Sequence, residues 1–171
     1  MKKFYLLLVL LFASCSNVTE TGNPCPAGNC PYASPNLEAS ELYVNDKFGV
    51  AIEYPAGWTY EEDSDRMSVD FESEGPERAT AHIIFERLDP QPESLFAHIF
   101  EAYPYMEFAN YSTMSLTGYS YDNPDTGQNG GDLKEYFFLI EDIFIHVEAE
   151  LFPSRTVEFG SLLNGISLAG E

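Results

Sequence analysis

Histidine and glutamate alternate near the end of the sequence in a pattern that could bind a cation. His146, Glu148 and Glu150 are two residues apart, so in a β-strand their side chains share one face. If 141–142 is a two-residue turn, Glu135 stands directly opposite Glu148 on the preceding strand. Facing carboxylates repel each other, and imidazole with carboxylates suits zinc or manganese. The pattern favours a bound cation or a basic partner; the alternative is that these side chains spread into water, where salt screens them.

The polar segment 122–132 is a second candidate cation site. Asp125 and Asp132 flank a glycine-rich centre, which is similar to a calcium loop with oxygen ligands around a glycine turn. However, Gly127 stands where such a loop needs an oxygen-bearing side chain, and Tyr136 stands in place of the closing glutamate. The alternatives are a plain connection between two strands and a contact for a partner.

Tyrosine is concentrated between residues 103 and 121. A core of this size needs fewer tyrosines, which predicts that some are exposed, and exposed tyrosine is typical of protein and ligand interfaces. The alternative is that tyrosine fills half-buried strand positions. The candidate partner-binding residues are Tyr103, Tyr105, Tyr111, Tyr119 and Tyr121.

Signatures of catalysis are missing from the sequence. It contains neither Gly-x-Ser-x-Gly nor His-Glu-x-x-His, and no nucleophile–base pair stands out around His82, His98 or His146. We therefore expect no catalytic residue and no enzyme activity. No cofactor is expected, unless the sites above hold a divalent cation.

The composition restricts the class of partner. The chain has 171 residues with 28 acidic and 8 basic side chains, a formal net charge of −20. Nucleic-acid binding needs lysine and arginine to neutralise phosphates, so this charge excludes it. A basic partner or divalent cations would be attracted, although acidity can also serve solubility alone. With 44% hydrophobic and 15% aromatic residues, the chain can build a packed core.

The N-terminus predicts export. Lys2 and Lys3 precede a short apolar run over 4–13, which is far too short for a membrane-spanning helix and is typical of a secretory signal. Ala13, Ser14 and Cys15 resemble the end of a bacterial lipobox. We therefore expect a signal peptide over 1–14, lipidation of Cys15, and an extracytoplasmic lipoprotein that meets the membrane through its lipid anchor alone.

Residues 15–40 have the composition of a flexible tether, because Thr, Asn, Pro, Gly and Ser replace large apolar side chains. Cys25 and Cys30 lie within it around a proline and a glycine, which predicts a small local disulfide in an oxidising compartment. Their spacing does not fit a redox pair, and two cysteines make a poor zinc site. The domain is expected over 41–171.

Hydrophobic periodicity predicts an α+β fold with an antiparallel sheet and packed helices. A first helix carries Leu95, Ile99 and Tyr103 on one side. A closing helix, capped by Ser154, presents an apolar side formed by Phe159, Leu162, Leu163 and Ile166. Alternating segments predict strands at 48–54, 67–72, 79–87, 105–111, 115–121, 133–140 and 143–152.

Tyr43 and the segment 48–58 resemble the opening strand and turn of the PsbP/Mog1-like superfamily, and the end of the chain resembles its closing helix. The resemblance implies a three-layer α/β/α sandwich that serves as a binding module. Its members include extrinsic photosystem proteins, a small-GTPase cofactor and secreted bacterial lipoproteins, and they are not enzymes as a group. In this motif Pro55 ends the strand, Gly57 permits the turn and Trp58 caps the core.

Together these features predict a non-catalytic, lipid-anchored, extracytoplasmic binding module that docks a protein partner in the cell envelope. The alternative is a lipoprotein that carries a divalent cation or a small ligand. A hydrolase is a third and weaker reading, because no nucleophile–base pair is visible.

Overall fold

The structure is a computed structural model that describes residues 39–63 and 67–170. The predicted signal peptide, the lipidation of Cys15 and the Cys25–Cys30 disulfide lie outside the described residues. None of the described helices is long and apolar enough to cross a membrane. The helices are α1 (Leu95–Ala102) and α2 (Thr156–Asn164), and a short 3-10 turn (Pro153–Arg155) precedes α2.

Ten strands form two antiparallel sheets in the described part of the chain, as the α+β prediction requires. The large sheet has the order β3-β4-β5-β9-β8-β7-β6, and the small sheet has the order β1-β2-β10. The strands are β1 (Ser40–Asn45), β2 (Val50–Pro55), β3 (Trp58–Asp63), β4 (Ser68–Ser73), β5 (Thr80–Arg87), β6 (Ala109–Ser112), β7 (Thr117–Thr126), β8 (Asp132–Ile140), β9 (Ile143–Leu151) and β10 (Ile166–Leu168).

The main core lies between the inner face of the large sheet and a layer made of the small sheet and α2. Alternate residues of each strand point into it, because successive side chains of a strand face opposite ways. Tyr136 packs against Phe159 of α2, with ring centroids 5.5 Å apart and ring planes tilted by 44°. The sheet contributes Val69, Phe71, Ala81, Ile83, Phe85, Phe138, Ile145 and Val147, all fully or almost fully buried.

The outer face of the large sheet is divided into two halves. Helix α1 covers one half, where buried Ile99 packs with Phe137 of β8, Phe144 of β9 and Leu88 in a second, smaller core. Helix α1 has eight residues, which is too short to cover the whole face. The other half of the face carries polar and charged side chains.

The predicted β8–β9 hairpin is confirmed residue by residue. Glu141 and Asp142 form the turn, and Ile140 pairs with Ile143. Further along the same ladder, Glu135 is the cross-strand partner of Glu148. A two-residue loop leaves a hairpin only one register, so the turn dictates every facing pair.

Two details of the predicted elements are wrong. Ser154 does not cap α2, since Arg155 occupies the N-cap position and its side chain does not cap the helix. The Ser154 hydroxyl instead donates to Glu77. Ile166 is not on the helix, because α2 ends at Asn164 and Gly165 turns the chain into β10. A side chain at position 165 would overlap the carbonyl of Glu53, so only glycine fits there.

Candidate functional site

A row of polar side chains crosses the open half of the outer face. Pairing places Asp70 on β4 beside His82 on β5, His82 beside Glu148 on β9, and Glu148 beside Glu135 on β8. These residues line an open groove of about 490 Å3 together with Glu150. We call this the acidic groove.

Two histidines of this face are each held by a carboxylate. His82 Nδ1 lies 2.6 Å from Asp70 Oδ1 at an exposed position. His146 Nε2 lies 3.0 Å from Glu135 Oε2, and these two side chains are only 7% and 13% exposed. The imidazole of His146 also stacks on Phe137, with centroids 4.6 Å apart. The ring is therefore fixed in place beside the Glu135 carboxylate.

Two carboxylates of the row are about half exposed: Asp70, which pairs with His82, and Glu148. The Glu148 side chain is 52% exposed, and its Oε1 lies 4.0 Å from His146 Nδ1, beyond hydrogen-bond distance. Its cross-strand partner Glu135 carries the same charge. The groove therefore presents a carboxylate that has a like charge opposite it.

Glu150, a predicted metal ligand, binds the neighbouring loop instead. Its Oε1 accepts the backbone N–H of Asn129 at 2.7 Å and that of Gly131 at 3.0 Å, and its Oε2 accepts from the Asn129 amide at 3.0 Å. Glu150 is buried. Both oxygens of this carboxylate therefore fix the β7–β8 loop against β9.

Glycine permits this close approach of loop and carboxylate. A side chain at Gly127 would overlap the Glu150 carboxylate, and one at Gly131 would overlap the Glu150 side chain and the carbonyl of Leu151. A calcium loop needs an oxygen-bearing side chain at the position of Gly127. In this fold the Glu150 carboxylate occupies the space that such a side chain would need.

The predicted metal ligands do not converge in the described residues. Within 39–63 and 67–170, no group of three or more His, Cys, Asp or Glu side chains could hold a metal ion. Asp125 is exposed, with its backbone N–H bonded to Asn123 Oδ1 at 3.1 Å. Asp132 begins β8 opposite Leu151. Metal binding at these positions remains a prediction.

The five candidate tyrosines are distributed over both faces of the large sheet. Tyr111 packs against the inner core, where its ring lies 4.8 Å from that of Tyr136, and burial raises its pKa. Tyr119 and Tyr121 lie on the outer face, on the strand next to β8. Tyr105, in the loop after α1, is 98% exposed.

Tyr103, which follows α1, lies beside the acidic groove. Its ring centroid is 5.7 Å from that of Phe137 and 6.2 Å from that of His146. Burial raises its pKa, and the negative charges of Glu135 and Glu148 raise it further. Tyr103 thus connects the aromatic and acidic parts of the outer face.

An exposed aromatic surface lies on α1 and was not among the predicted sites. Phe96 and Phe100 are one helical turn apart with stacked rings at 5.7 Å, and the Phe96 ring lies 5.4 Å from that of Tyr119. The two phenylalanines are 44% and 47% exposed. Their i, i+4 spacing places them on one side of the helix, next to the partly buried Leu95 and the buried Ile99. We call Phe96, Phe100 and Tyr119 the aromatic patch.

The basic side chains of the domain are mostly engaged elsewhere. Arg78 pairs with Glu72, Arg87 with Asp142, and Arg155 with Glu158. Lys134, at the edge of the acidic groove, pairs with Asp122 at 2.6 Å. The arrangement is therefore suited to binding a cationic group from outside the domain.

The fold is similar to two solved structures. No family model and no curated sequence matches the chain. The solution structure of cyanobacterial PsbP (CyanoP) from Synechocystis is similar with a TM-score of 0.50 and 12% identity, over 84% of this chain and 99% of that protein. A crystal structure from Bacteroides thetaiotaomicron is similar with a TM-score of 0.54 and 8% identity, over 76% of this chain and 48% of that one.

These similarities establish the class of fold, an α+β protein with a PsbP-like fold. They confirm the fold that the sequence resemblance implied. This chain spans about half the length of the Bacteroides protein. At 8% and 12% identity, neither similarity says what this chain binds.

Proposed function

We propose that this protein is a non-catalytic binding module whose acidic groove receives lysine or arginine side chains of a protein partner in the cell envelope. The observation that carries the proposal is the juxtaposition of Glu135 and Glu148 within an open groove. A cation bound between them would relieve their repulsion and gain two charged contacts.

The charge distribution supports a protein partner with basic residues. The chain carries a net charge of −20, and such a field speeds the encounter with a positively charged surface. The groove is open and shallow enough to admit a side chain from another protein. Glu148 is half exposed whereas Glu135 is 13% exposed, so an incoming cation meets Glu148 before it meets Glu135.

We further propose that the domain acts outside the cytoplasm as a bacterial lipoprotein. The support is the signal-like start of the sequence and Cys15 at its lipobox-like end. In this arrangement the segment 15–40 would hold the domain near the membrane, where envelope proteins are within reach.

The proposed groove can be tested with a synthetic oligolysine peptide, followed by NMR on the isotope-labelled protein. We expect shifts at His82, Glu135 and Glu148 that weaken with salt, and about tenfold weaker binding in Glu148→Lys. Glu53→Lys is the matched control, because Glu53 is exposed on the small sheet, away from the groove. Equal loss of binding in both variants would reduce the effect to net charge and contradict the proposal.

Binding of a divalent cation is the second candidate. Glu135 and Glu148 lie 3.0 and 4.0 Å from opposite ring nitrogens of His146, so the three side chains would have to rearrange to form one ligand set. Zinc, manganese and calcium would then raise the melting temperature by mass action, and His146→Ala would abolish the shift. Unchanged melting with all three ions would contradict this candidate and leave the groove proposal standing.

A further inference from the structure

The aromatic patch exposes more apolar surface than the packing of α1 requires. Ile99 is the buried residue of this helix and fastens it to the sheet. Phe96 and Phe100 lie to one side of it, about half exposed. Exposed, clustered aromatic rings are characteristic of protein-binding surfaces, whereas single exposed apolar residues are not.

The surroundings of the patch are acidic. Residues 88–133, which include α1, β6 and β7, contain no lysine or arginine and seven acidic residues. Glu93 precedes α1, Glu101 lies within it and Glu107 follows it, all exposed. An occupant of the patch therefore needs positive charge around an apolar contact. A second copy of this chain would bring the same negative charge, and anionic lipid headgroups would be repelled.

The patch and the acidic groove are neighbours on the outer face. Tyr119 of the patch and Tyr121 are two residues apart on β7, which is about 7 Å along a strand. Tyr121 is the cross-strand partner of Glu135 in the groove. Tyr103 gives a second connection, because its ring lies 6.2 Å from that of His146, the neighbour of Glu135. One continuous segment of a partner could therefore contact both surfaces.

We propose that the aromatic patch and the acidic groove form a single docking surface for an amphipathic, basic segment of a protein partner. Its bulky apolar side chains lie on Phe96, Phe100 and Tyr119, and its lysine or arginine side chains enter the groove toward Glu148. Arginine can also stack on the exposed rings. This inference rests on the proposed function and names the kind of partner segment that the groove receives.

Two synthetic peptides of equal length and charge test the inference on the described domain with its tether. In the first peptide, leucines recur every three to four residues and lysines fill the other positions, so that a helix would carry leucine on one side. In the second peptide, serine replaces every leucine. We expect the wild type to bind the leucine–lysine peptide about tenfold more tightly. The double variant Phe96→Ser/Phe100→Ser should bind both peptides equally. Val157→Ser is the control, because Val157 is 59% exposed on α2.

The outcomes separate this inference from the proposed function. A double variant that keeps the preference for the leucine–lysine peptide overturns the inference, as does a preference lost equally in Val157→Ser. Failure of the serine–lysine peptide to bind the wild type contradicts the proposed function. Sedimentation that shows dimers of the wild type but not of the double variant would assign the patch to a second copy. Binding to phosphatidylcholine vesicles that the double variant loses would assign it to lipid; either result overturns the inference.

Discussion

Glu135 and Glu148 face each other across the β8–β9 hairpin, and the imidazole of His146 lies closer to Glu135 than to Glu148. His146 is 3.0 Å from a carboxylate oxygen of Glu135 but 4.0 Å from that of Glu148. Glu148 is also the more exposed of the two, with 52% of its side chain exposed against 13% for Glu135. This inequality makes Glu148 the expected first contact of a basic partner.

Replacing Glu148 with glutamine should stabilise the free protein. Glu148→Gln removes a like charge opposite Glu135, so we expect a gain of about 0.2–1 kcal/mol in the free energy of unfolding at low salt. The gain should shrink as salt screens the pair. Urea denaturation measures it, and Glu53→Gln, opposite Leu42 on β1, is the control. A loss of stability would mean that attraction to His146 outweighs the repulsion.

Removing the Glu150 carboxylate should loosen the β7–β8 loop. Glu150→Ala eliminates three hydrogen bonds to Asn129 and Gly131, which predicts a loss of about 2–4 kcal/mol. The amides of Asn129 and Gly131 should exchange faster with deuterium. Glu148→Ala, two residues away on the same strand, should leave their exchange unchanged. Equal protection in Glu150→Ala would show that the loop is held by other contacts.

Tyr54 should make stability fall in alkaline solution. Burial, and then the hydrogen bond from its hydroxyl to Glu41 at 2.9 Å, raise its pKa from 10.0 to about 12. The raised pKa means that the folded state favours the neutral phenol. Its contribution is complete below about pH 10 and is lost as the pH rises toward about 12. Denaturation across this range should show a steeper fall for the wild type than for Tyr54→Phe; equal slopes would contradict the assignment.

Glu158 should hold Trp58 against α2. The indole N–H donates to Glu158 Oε2 at 3.1 Å, and Arg155 Nη1 donates to both oxygens at 3.0 Å. Glu158→Ala should cost about 1–3 kcal/mol, because two donors lose their acceptor. Trp58 is the sole tryptophan, so its emission reports the change directly. Glu158→Gln keeps an acceptor and should shift the emission less. Identical emission in Glu158→Ala would refute the contact.

The sequence predicts local elements well where periodicity is strong. The β8–β9 register follows from one two-residue turn and a clean alternation of side chains. Strand β3 was missed because it is an edge strand whose residues after Trp58 are mostly exposed, so no apolar alternation marks it. Strand β10 was missed because Ile166 falls at helical spacing, and Gly165 alone signals that the helix has ended.

The site was predictable only in part. The face shared by His146, Glu148 and Glu150 follows from their spacing, and the fold confirms it. The role of Glu150 depends on a loop 19 to 21 residues away, and no local pattern reports such a contact. The exposure of Phe96 and Phe100 depends on which side of α1 meets the sheet, and helical spacing does not determine this.

The most direct test of the central claim is site-specific photocrosslinking in intact cells. A photoreactive amino acid would replace Gln128, an exposed residue that lines the groove, so that Glu148 is kept; the control position is Glu53 on the small sheet. We predict that position 128 captures one envelope protein in stoichiometric amount, through a segment rich in lysine or arginine, and that position 53 does not. The same proteins captured from both positions, or no protein captured from position 128, would contradict a basic partner in the acidic groove.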